Sequence, residues 1–505
     1  MKLIYWLSFV FLLLGEDPSY SQNRNSIWCF GDSAGIDFTT PTNPQPYYSA
    51  MRSRGTAVSI ADSVGNLLFY AHTGDTSNAV SFQGNVRNKL HQLMENGDSL
   101  IGISWYQEMV IVPFPANLDK YYIFTNDGSV TYNTYYSIID LSLNNGLGKV
   151  IQKNVPLVSN IRMGDCITTI KHANGRDWWL YMRSGDGFLA DNPFYTFYIN
   201  DQGIVLDTLQ SFNPLTGGSF IEFRWNKQGT KMAFVNYSGL IQVFDYDRCT
   251  GLFSNPVTID TMRVSPPLPA YWACEFSPNG RYLYITSHPV SSYLYVADLF
   301  DTTYTLNTIW SISSPQYYLS DLKRGPDDKI YTTGMYFDGL TFPYPYQDTV
   351  YNQYNMNLGV INYPDSGFSG CNYQPYSFYL GGKRTYAGLP NNPDYELGAW
   401  VGSPCDTLSV GMEDIQPPQQ AWMQAWYNNS WQLIHVNSSK LQGKSGVLRI
   451  LDIQGRLLSE LELEEIHGGY FTDEINTKEF KTGLVIVQLL TEKEQLTQKV
   501  MIHSK

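Results

Sequence analysis

The sequence predicts an all-β protein, and three observations support this. Aromatic residues make up 15% of the chain, with 38 tyrosines, while charged residues make up only 16%. Tyrosine suits a half-buried pleated sheet because its ring packs while its hydroxyl stays in water. Short apolar segments alternate with turns rich in Gly, Asn and Asp, and no amphipathic helical stretch of useful length interrupts them.

A hairpin pattern repeats along the chain, with turns near residues 65, 119, 175, 229, 280 and 328. In one copy, 274–276 leads through a Ser-Pro-Asn-Gly turn into 282–285. Gly and Asn tolerate the positive φ of tight hairpins. Four short strands in roughly 50 residues are typical of a β-propeller blade.

We therefore expect a seven-bladed β-propeller. Its seventh blade would occupy 340–400, with strands at 358–361 and 377–380. The N-terminal strand near 27–30 would complete that blade and close the ring, which leaves no free edge. An irregular array of β-sandwiches is the alternative.

The first 21 residues read as a secretory signal peptide. Met1 and Lys2 precede an apolar run at 3–14, and small residues lead to a cleavage site between Ser21 and Gln22. Twelve apolar residues are too short to span a bilayer, which takes about 20. A buried N-terminal helix is the alternative. We expect no transmembrane segment in the mature protein.

Composition then divides the rest of the chain. We expect the propeller at 22–402 and a linker at 403–429, where Pro417-Pro418 cannot join a sheet. Residues 430–505 are richer in charge and carry six or seven alternating strands. This pattern predicts a small Ig-like β-sandwich.

Charge and cysteine content exclude several functions. The net charge is −13 and no run of Lys or Arg occurs, which argues against nucleic acid as a partner. The six cysteines include no CxxC pair, so a zinc ribbon has no support and we predict no metal or cofactor. Export permits disulfides, and six cysteines allow 15 full pairings.

The C-terminal segment contains LDIQGR at 451–456, KTGLVIV at 481–487 and QKVMI at 498–502. In order, spacing and position it resembles the type A C-terminal sorting domain of the type IX secretion system of Bacteroidota. Leu484 stands where that domain has an aromatic residue. The matching motif residues are Asp452, Gly455, Arg456, Gly483 and Lys499.

The resemblance implies that the type IX machinery is a partner and that the protein is secreted or held at the outer-membrane cell surface. An Ig-like binding module that stays on the protein is the alternative.

The body carries IWCFGDSAGIDF at 27–38, GNLLFY at 65–70, LGVINYP at 358–364, LGGKR at 380–384 and GLP at 388–390. These strings resemble a group of exported Bacteroidota propeller proteins. That resemblance implies a fold and a destination but no chemistry.

Ser33 follows Gly-Asp as in SGNH/GDSL esterases. A serine nucleophile needs a base and an oxyanion hole. None of the seven histidines has Asp three residues before it, and no Gly-x-Asn-Asp block occurs. We therefore expect Gly31 and Gly35 to shape a turn there.

Other candidate residues favour structural roles. His72 and His91 could be metal ligands, and Asp245 and Asp247 lie near a strand end without calcium-loop spacing.

The Trp178-Trp179 and Tyr271-Trp272 pairs could stack on sugars, but aromatic residues in strands more often pack between blades. Asp186 and Glu222 could form a glycosidase pair, whose separation a sequence does not give.

The leading functional hypothesis is an exported interaction protein whose propeller presents a face to a glycan or protein, with no catalytic activity inferred. A propeller-type polysaccharide lyase or glycosidase is the alternative, and a structural surface component is a third.

Overall fold

A computed structural model describes residues 23–73, 84–102, 106–127, 132–185, 192–212, 221–261, 270–288, 291–337, 346–406, 422–428, 433–439, 445–463, 471–478 and 480–502. The chain folds as two compact units that divide between Asp406 and Thr407. In the described ranges, no helix has the length and apolar character needed to cross a membrane.

The first unit consists of seven antiparallel sheets that follow one another along the chain. The first two sheets contain three strands each: β1 Ile27–Phe30, β2 Ala34–Asp37 and β3 Gln45–Pro46; β4 Ala57–Ala61, β5 Leu67–His72 and β6 Asn85–Asn88. The next two contain four each: β7 Met109–Phe114, β8 Asn117–Asn126, β9 Thr134–Asp140 and β10 Lys149–Val158; β11 Thr168–Lys171, β12 Trp178–Arg183, β13 Phe194–Asn200 and β14 Gly203–Gln210.

The last three sheets also contain four strands each. They are β15 Ile221–Trp225, β16 Lys231–Asn236, β17 Ile241–Asp247 and β18 Leu252–Asp260; β19 Ala270–Phe276, β20 Tyr282–His288, β21 Ser292–Asp298 and β22 Asn307–Ile312; β23 Tyr317–Arg324, β24 Ile330–Tyr336, β25 Asn357–Ile361 and β26 Tyr373–Tyr379. In the ranges that the structure describes, the short helices are 3-10 turns at Asn144–Gly146 and Pro364–Ser366 and α1 at Gly367–Gly370.

The seven sheets form a closed ring. The first strands of successive sheets are neighbours, from β1 and β4 through to β19 and β23. The ring closes where Trp28 and Phe38 of the first sheet meet Tyr331 of the last, with ring centroids 5.8 and 5.4 Å apart. These rings are buried in one cluster with residues of the second sheet. The predicted seven-bladed β-propeller is thus confirmed.

The six predicted hairpins join the first two strands of six sheets. In the fourth sheet Ile170 pairs with Trp179 across such a turn, where Gly175 has φ +77°. In the fifth and sixth sheets Gly229 and Gly280 have φ +67° and +73°. Glycine makes these left-handed positions accessible without a steric penalty, which is why the turns are legible in the sequence.

The expected seventh blade is wrong in its boundaries. The strands expected at 358–361 and 377–380 are β25 and β26, which pair with β24 and with each other inside the last sheet. The N-terminal strand β1 does not complete that sheet but pairs with β2 in a sheet of its own. The two-residue period of apolar side chains reveals a strand but not the strand with which it pairs. The sequence therefore predicts both ends of the ring in one blade.

The segment 385–397, here called the plug, runs through the centre of the ring. Leu389 N donates to the Asp321 carboxylate at 2.8 Å. The Asn391 side-chain amide donates to the carbonyls of Met109 and Ile167 at 2.9 and 2.7 Å. The Tyr395 hydroxyl donates to the Ile111 carbonyl at 3.0 Å. The propeller channel is therefore filled by the chain itself.

Three of the strings that resemble exported propeller proteins, at 27–38, 380–384 and 388–390, meet at this plug. At Gly388 a Cβ atom would stand 2.0 Å from the Gly55 carbonyl oxygen, so only glycine lets the two backbones approach. Arg384 donates from Nε to the Asp32 carboxylate at 3.0 Å and so ties the plug to the turn between β1 and β2.

A disulfide anchors the end of the plug segment. Cys249 and Cys405, 156 residues apart in sequence, form a bond with a Cα–Cα distance of 5.6 Å. Arg248 Nη2 donates to the Gly398 carbonyl at 2.6 Å, and Trp400 N donates to the Ala173 carbonyl at 2.7 Å. The remaining four cysteines, Cys29, Cys166, Cys274 and Cys371, are buried thiols.

The second unit contains two antiparallel sheets. Its strands are β27 Trp422–Asn428, β28 Leu433–Ser439, β29 Gly446–Asp452, β30 Leu457–Leu463, β31 Phe471–Asn476, β32 Gly483–Thr491 and β33 Gln495–Ile502. The sheet orders are β27-β28-β31 and β30-β29-β32-β33. Buried Ile434 and Val436 of one sheet pack with Ile450, Val487 and Val500 of the other. Ig-like topology stays a prediction.

Candidate functional site

The plugged channel has two mouths, and each is a candidate site. One mouth lies where β15, β19 and β23 begin, and the other lies where they end. Aromatic residues gather at the first, which we call the aromatic mouth. A cavity opens at the second, which we call the cavity mouth.

A buried ion-pair network separates the two mouths. Arg224 on β15 lies 2.6 Å from a carboxylate oxygen of Glu222 and 2.9 Å from one of Asp321. Its other guanidinium nitrogen donates to Gln107 Oε1 at 2.9 Å, and the Gln107 amide donates to Asp321 at 2.7 Å. Glu275 stands 3.8 Å from Arg224 Nε. One guanidinium thus forms ion pairs with three carboxylates on three neighbouring blades.

Glu222 is fully buried within this network. Burial raises its pKa well above the usual range, while Arg224 and the Tyr106 hydroxyl, which donates at 3.1 Å, act in the opposite direction. This carboxyl group lies against Arg224 and has no exposed surface. Its hypothetical glycosidase partner, Asp186, lies outside the described residues.

The cavity at the cavity mouth has a volume of about 200 Å³. Its walls come from the ends of β11, β15, β19 and β23, from residues 23–28 and from the plug. Five side chains on these walls carry a buried N or O atom that has no hydrogen-bond partner within the described part of the chain. They are Asn25 (Oδ1), Trp28 (Nε1), Thr169 (Oγ1), Arg224 (Nε) and Arg324 (Nη1).

These five atoms need hydrogen-bond partners from outside the described part of the chain. Buried polar groups are nearly always hydrogen-bonded, and an unpaired one costs about 1–3 kcal/mol. Trp28 is fully buried, and Thr169 is 1% exposed. A cavity in which several such groups converge is the kind of place where a polar ligand binds.

The cationic and acidic side chains around the cavity are equal in number. Four cationic and four acidic side chains line it. Lys227 lies 2.8 Å from Asp328, and Arg324 lies 3.7 Å from Asp394. Lys323 donates to the Asn392 carbonyl at 2.9 Å, and burial, followed by the nearby Arg224, lowers its pKa to about 8.

The aromatic mouth is a chain of ring contacts. Trp272 lies 4.7 Å from His288 and 5.1 Å from Tyr106, measured between ring centroids. His288 stacks on Tyr318 at 4.6 Å, and Tyr318 contacts Phe337 at 4.4 Å. Burial lowers the pKa of His288 to about 3, so the imidazole is neutral and packs as an aromatic ring.

The sequence-predicted aromatic pairs divide in the structure. Trp178, Trp179 and Tyr271 are 2%, 4% and 3% exposed, so they pack inside the propeller. Trp272 is half-buried and reaches the aromatic mouth. The alternation of a strand sends adjacent side chains to opposite faces, so only one of Tyr271 and Trp272 lines the opening.

Ser33 lies in the turn between β1 and β2 with φ +64°. Its backbone N donates to the Met51 carbonyl at 2.9 Å, and its neighbour Asp32 binds Arg384. Among the described residues, the Ser33 hydroxyl has no hydrogen bond to a histidine. The Gly-Asp-Ser string therefore builds the tie between the first sheet and the plug.

The candidate metal ligands do not converge. His72 is buried, and burial lowers its pKa to about 3, while His91 contacts the Tyr70 hydroxyl at 3.1 Å. Asp245 pairs with Lys231 at 2.5 Å, and Asp247 accepts from Cys249 N at 2.8 Å. In the described ranges, no group of three or more His, Cys, Asp or Glu side chains could hold a metal ion.

Three of the sorting-motif residues form one turn between β29 and β30. Arg456 Nε and backbone N donate to the Asp452 carboxylate at 2.6 and 2.9 Å, and Gly455 has φ +78°. Gly483 begins β32, and Lys499 on β33 pairs with Ile486. The signal-cleavage residues Ser21 and Gln22 lie outside the described residues.

Sequence reasoning missed every residue with an unpartnered atom at the cavity. Asn25, Thr169 and Arg324 stand far apart in the chain and belong to no motif. The signal that could have found them is a polar residue in the first strand of several sheets. Thr169 lies on β11, Arg224 on β15 and Arg324 on β23. Without knowing which strands line the channel, that signal is indistinguishable from ordinary surface polarity.

Comparison with known families identifies the C-terminal segment of the chain. The family model of the secretion system C-terminal sorting domain matches residues 430–503, so the predicted sorting domain is confirmed. No curated protein matches the sequence.

The similar solved structures have about 10% sequence identity to this chain. They include the Dos1 propeller (10% identity, 74% of this chain and 88% of that one, TM-score 0.40) and a periplasmic gluconolactonase of Pseudomonas aeruginosa (10%, 83% and 99%, 0.35). A third is the Cps50 (Swd1) propeller domain of Myceliophteria thermophila (10%, 62% and 93%, 0.34).

Proposed function

We propose that this chain is an exported binding protein whose propeller holds a small polar ligand at the cavity mouth. A signal peptide ending at Ser21 takes it to the periplasm. The C-terminal domain is then read by the type IX secretion machinery, and the propeller reaches the outside of the cell or its surface.

One observation carries the binding role, namely the five unpartnered buried polar atoms around a single 200 Å³ cavity. The plug fills the channel and forms one wall of the cavity, so a ligand in the cavity lies at the channel mouth. The buried carboxylates are engaged by Arg224, which favours binding over the glycosidase or lyase alternative.

The export role is tested by deleting 430–505. We expect the truncated protein to accumulate inside the cell envelope while the full chain is found outside, because the sorting domain is the address that the secretion machinery reads. Fractionation and immunoblotting measure this. Undiminished appearance of the truncated protein in the medium or on the cell surface would refute the role of the domain.

The binding role is tested by thermal shift of the full-length protein with a panel of small sugars, sugar acids, amino acids and inorganic phosphate. A ligand that binds only the folded state raises the melting temperature. We expect at least one compound to do so, and Arg324→Met to weaken the affinity about tenfold and so reduce the shift, because a charged donor is lost.

Arg281→Met is the matched control, since Arg281 binds Asp298 at 2.7 Å away from the cavity. It should leave the shift unchanged. If no compound raises the melting temperature, or if both variants respond alike, the cavity is not the binding site.

A further inference from the structure

The cavity mouth also carries information about the class of ligand. The argument rests on the proposed binding function and adds to it. Four observations bear on it, which are the hydrogen-bonding capacity of the unpartnered atoms, the charge balance, the size of the cavity and its aromatic wall.

The unpartnered atoms require a ligand that both accepts and donates hydrogen bonds. Trp28 Nε1, Arg224 Nε and Arg324 Nη1 can only donate. Asn25 Oδ1 is a carbonyl oxygen and can only accept, and the orientation of this amide is fixed because its nitrogen donates to the Pro393 carbonyl at 2.9 Å. The Thr169 hydroxyl can do either. Hydroxyl groups satisfy all of these, since each is at once a donor and an acceptor.

The charge balance favours an uncharged ligand. Equal numbers of cationic and acidic side chains line the cavity. Arg224 is already matched by the buried carboxylates of Glu222 and Asp321. Because Arg224, Lys227 and Arg324 already have carboxylate partners, an anion entering here would compete with those carboxylates in a poorly hydrated place, which is costly.

Size and wall composition narrow the class further. About 200 Å³ is below the roughly 300–1,000 Å³ of pockets that take drug-sized molecules, so one small ring fits. Trp225, which is half-buried, lines the cavity, and a flat ring of this kind packs against the C–H face of a sugar.

We propose that the cavity binds a neutral monosaccharide ring, either free or as the terminal unit of a glycan. Its hydroxyl groups would accept from Trp28, Arg224 and Arg324 and donate to Asn25, with Thr169 completing the set. The ring would sit at the end of the plug, and further sugar units would extend toward solvent through the open side.

Thr169→Val is the discriminating variant. It removes a buried hydroxyl that has no partner in the described protein and keeps the shape of the side chain, so folding should not suffer. Thr134→Val is the matched control, because the Thr134 hydroxyl is also buried and unpartnered but Thr134 does not line the cavity. If Thr169→Val does not fold, Asn25→Ala at the cavity edge replaces it.

The test is calorimetric titration of the full-length protein with glucose, galactose, mannose and xylose, alongside glucuronate, galacturonate and inorganic phosphate. We expect a neutral sugar to bind, Thr169→Val to weaken it about five- to tenfold through the loss of one hydrogen bond, and Thr134→Val to bind as the parent does.

The other outcomes overturn the inference in distinguishable ways. Binding of the sugar acids or phosphate without the neutral sugars refutes the ligand class but leaves the binding function standing. Sugar binding that Thr169→Val does not weaken places the site elsewhere. Absence of binding by every compound, in this titration and in the wider thermal-shift panel, refutes both the ligand class and the proposed function of the cavity.

Discussion

Replacing Arg224 with methionine is expected to lower the free energy of unfolding of the propeller by about 3–5 kcal/mol, as is typical when one partner of a buried ion pair is removed. Arg224 is the guanidinium that Glu222 and Asp321 share, and both carboxylates are inaccessible to solvent. Methionine fills similar space but leaves the carboxylates without a counter-charge. Denaturant unfolding of the full-length protein, followed through the propeller transition, measures the change.

A matched control separates this effect from the loss of any surface charge. Lys231→Met removes the partner of Asp245, where both side chains are 39% and 43% exposed. Exposed pairs contribute only about 0–1 kcal/mol. Arg224→Lys keeps the charge without the planar fork, so an intermediate loss is expected. Equal losses for Arg224→Met and Lys231→Met would contradict the central role of the network.

Removing the disulfide by Cys249→Ala with Cys405→Ala is expected to cost about 2–5 kcal/mol, as for other native disulfides. The bond closes a loop of 156 residues, so it restricts the unfolded chain strongly, and it fixes the segment that follows the plug. The propeller transition in denaturant should move to lower concentration.

Reducing agent provides the control for this prediction. It should lower the stability of the parent protein to that of the double variant and leave the double variant unchanged, because the remaining described cysteines are already thiols. An unchanged transition of the parent under reducing conditions would show that the bond contributes nothing to stability.

Much of the fold was predictable because it is encoded over short distances. Most of the first hairpins have a turn residue with positive φ, as at Gly175, Gly229 and Gly280. The sorting domain was recognisable because Asp452, Gly455 and Arg456 form one local turn. Such features need only neighbouring residues, so a single sequence displays them.

The ends of the ring were predicted less well. The number of sheets is right, but β1 was expected to complete the last sheet and instead starts its own. What links these ends is packing of Trp28 and Phe38 against Tyr331, more than 290 residues away in the chain. Apolar and aromatic residues of this kind show that a side chain is buried but not what it is buried against.

The sequence by itself determined the all-β class, the repeated hairpins and the sorting domain, since each follows from residue types a few positions apart. Only the tertiary structure decided that the plug fills the channel, that Arg224 joins carboxylates from separate blades and that Asn25, Thr169 and Arg324 surround one cavity. The physical reason is that contacts between distant segments depend on how seven sheets close into a ring. Ring closure brings together side chains that are far apart in the sequence, and the residues next to each of them do not indicate that contact.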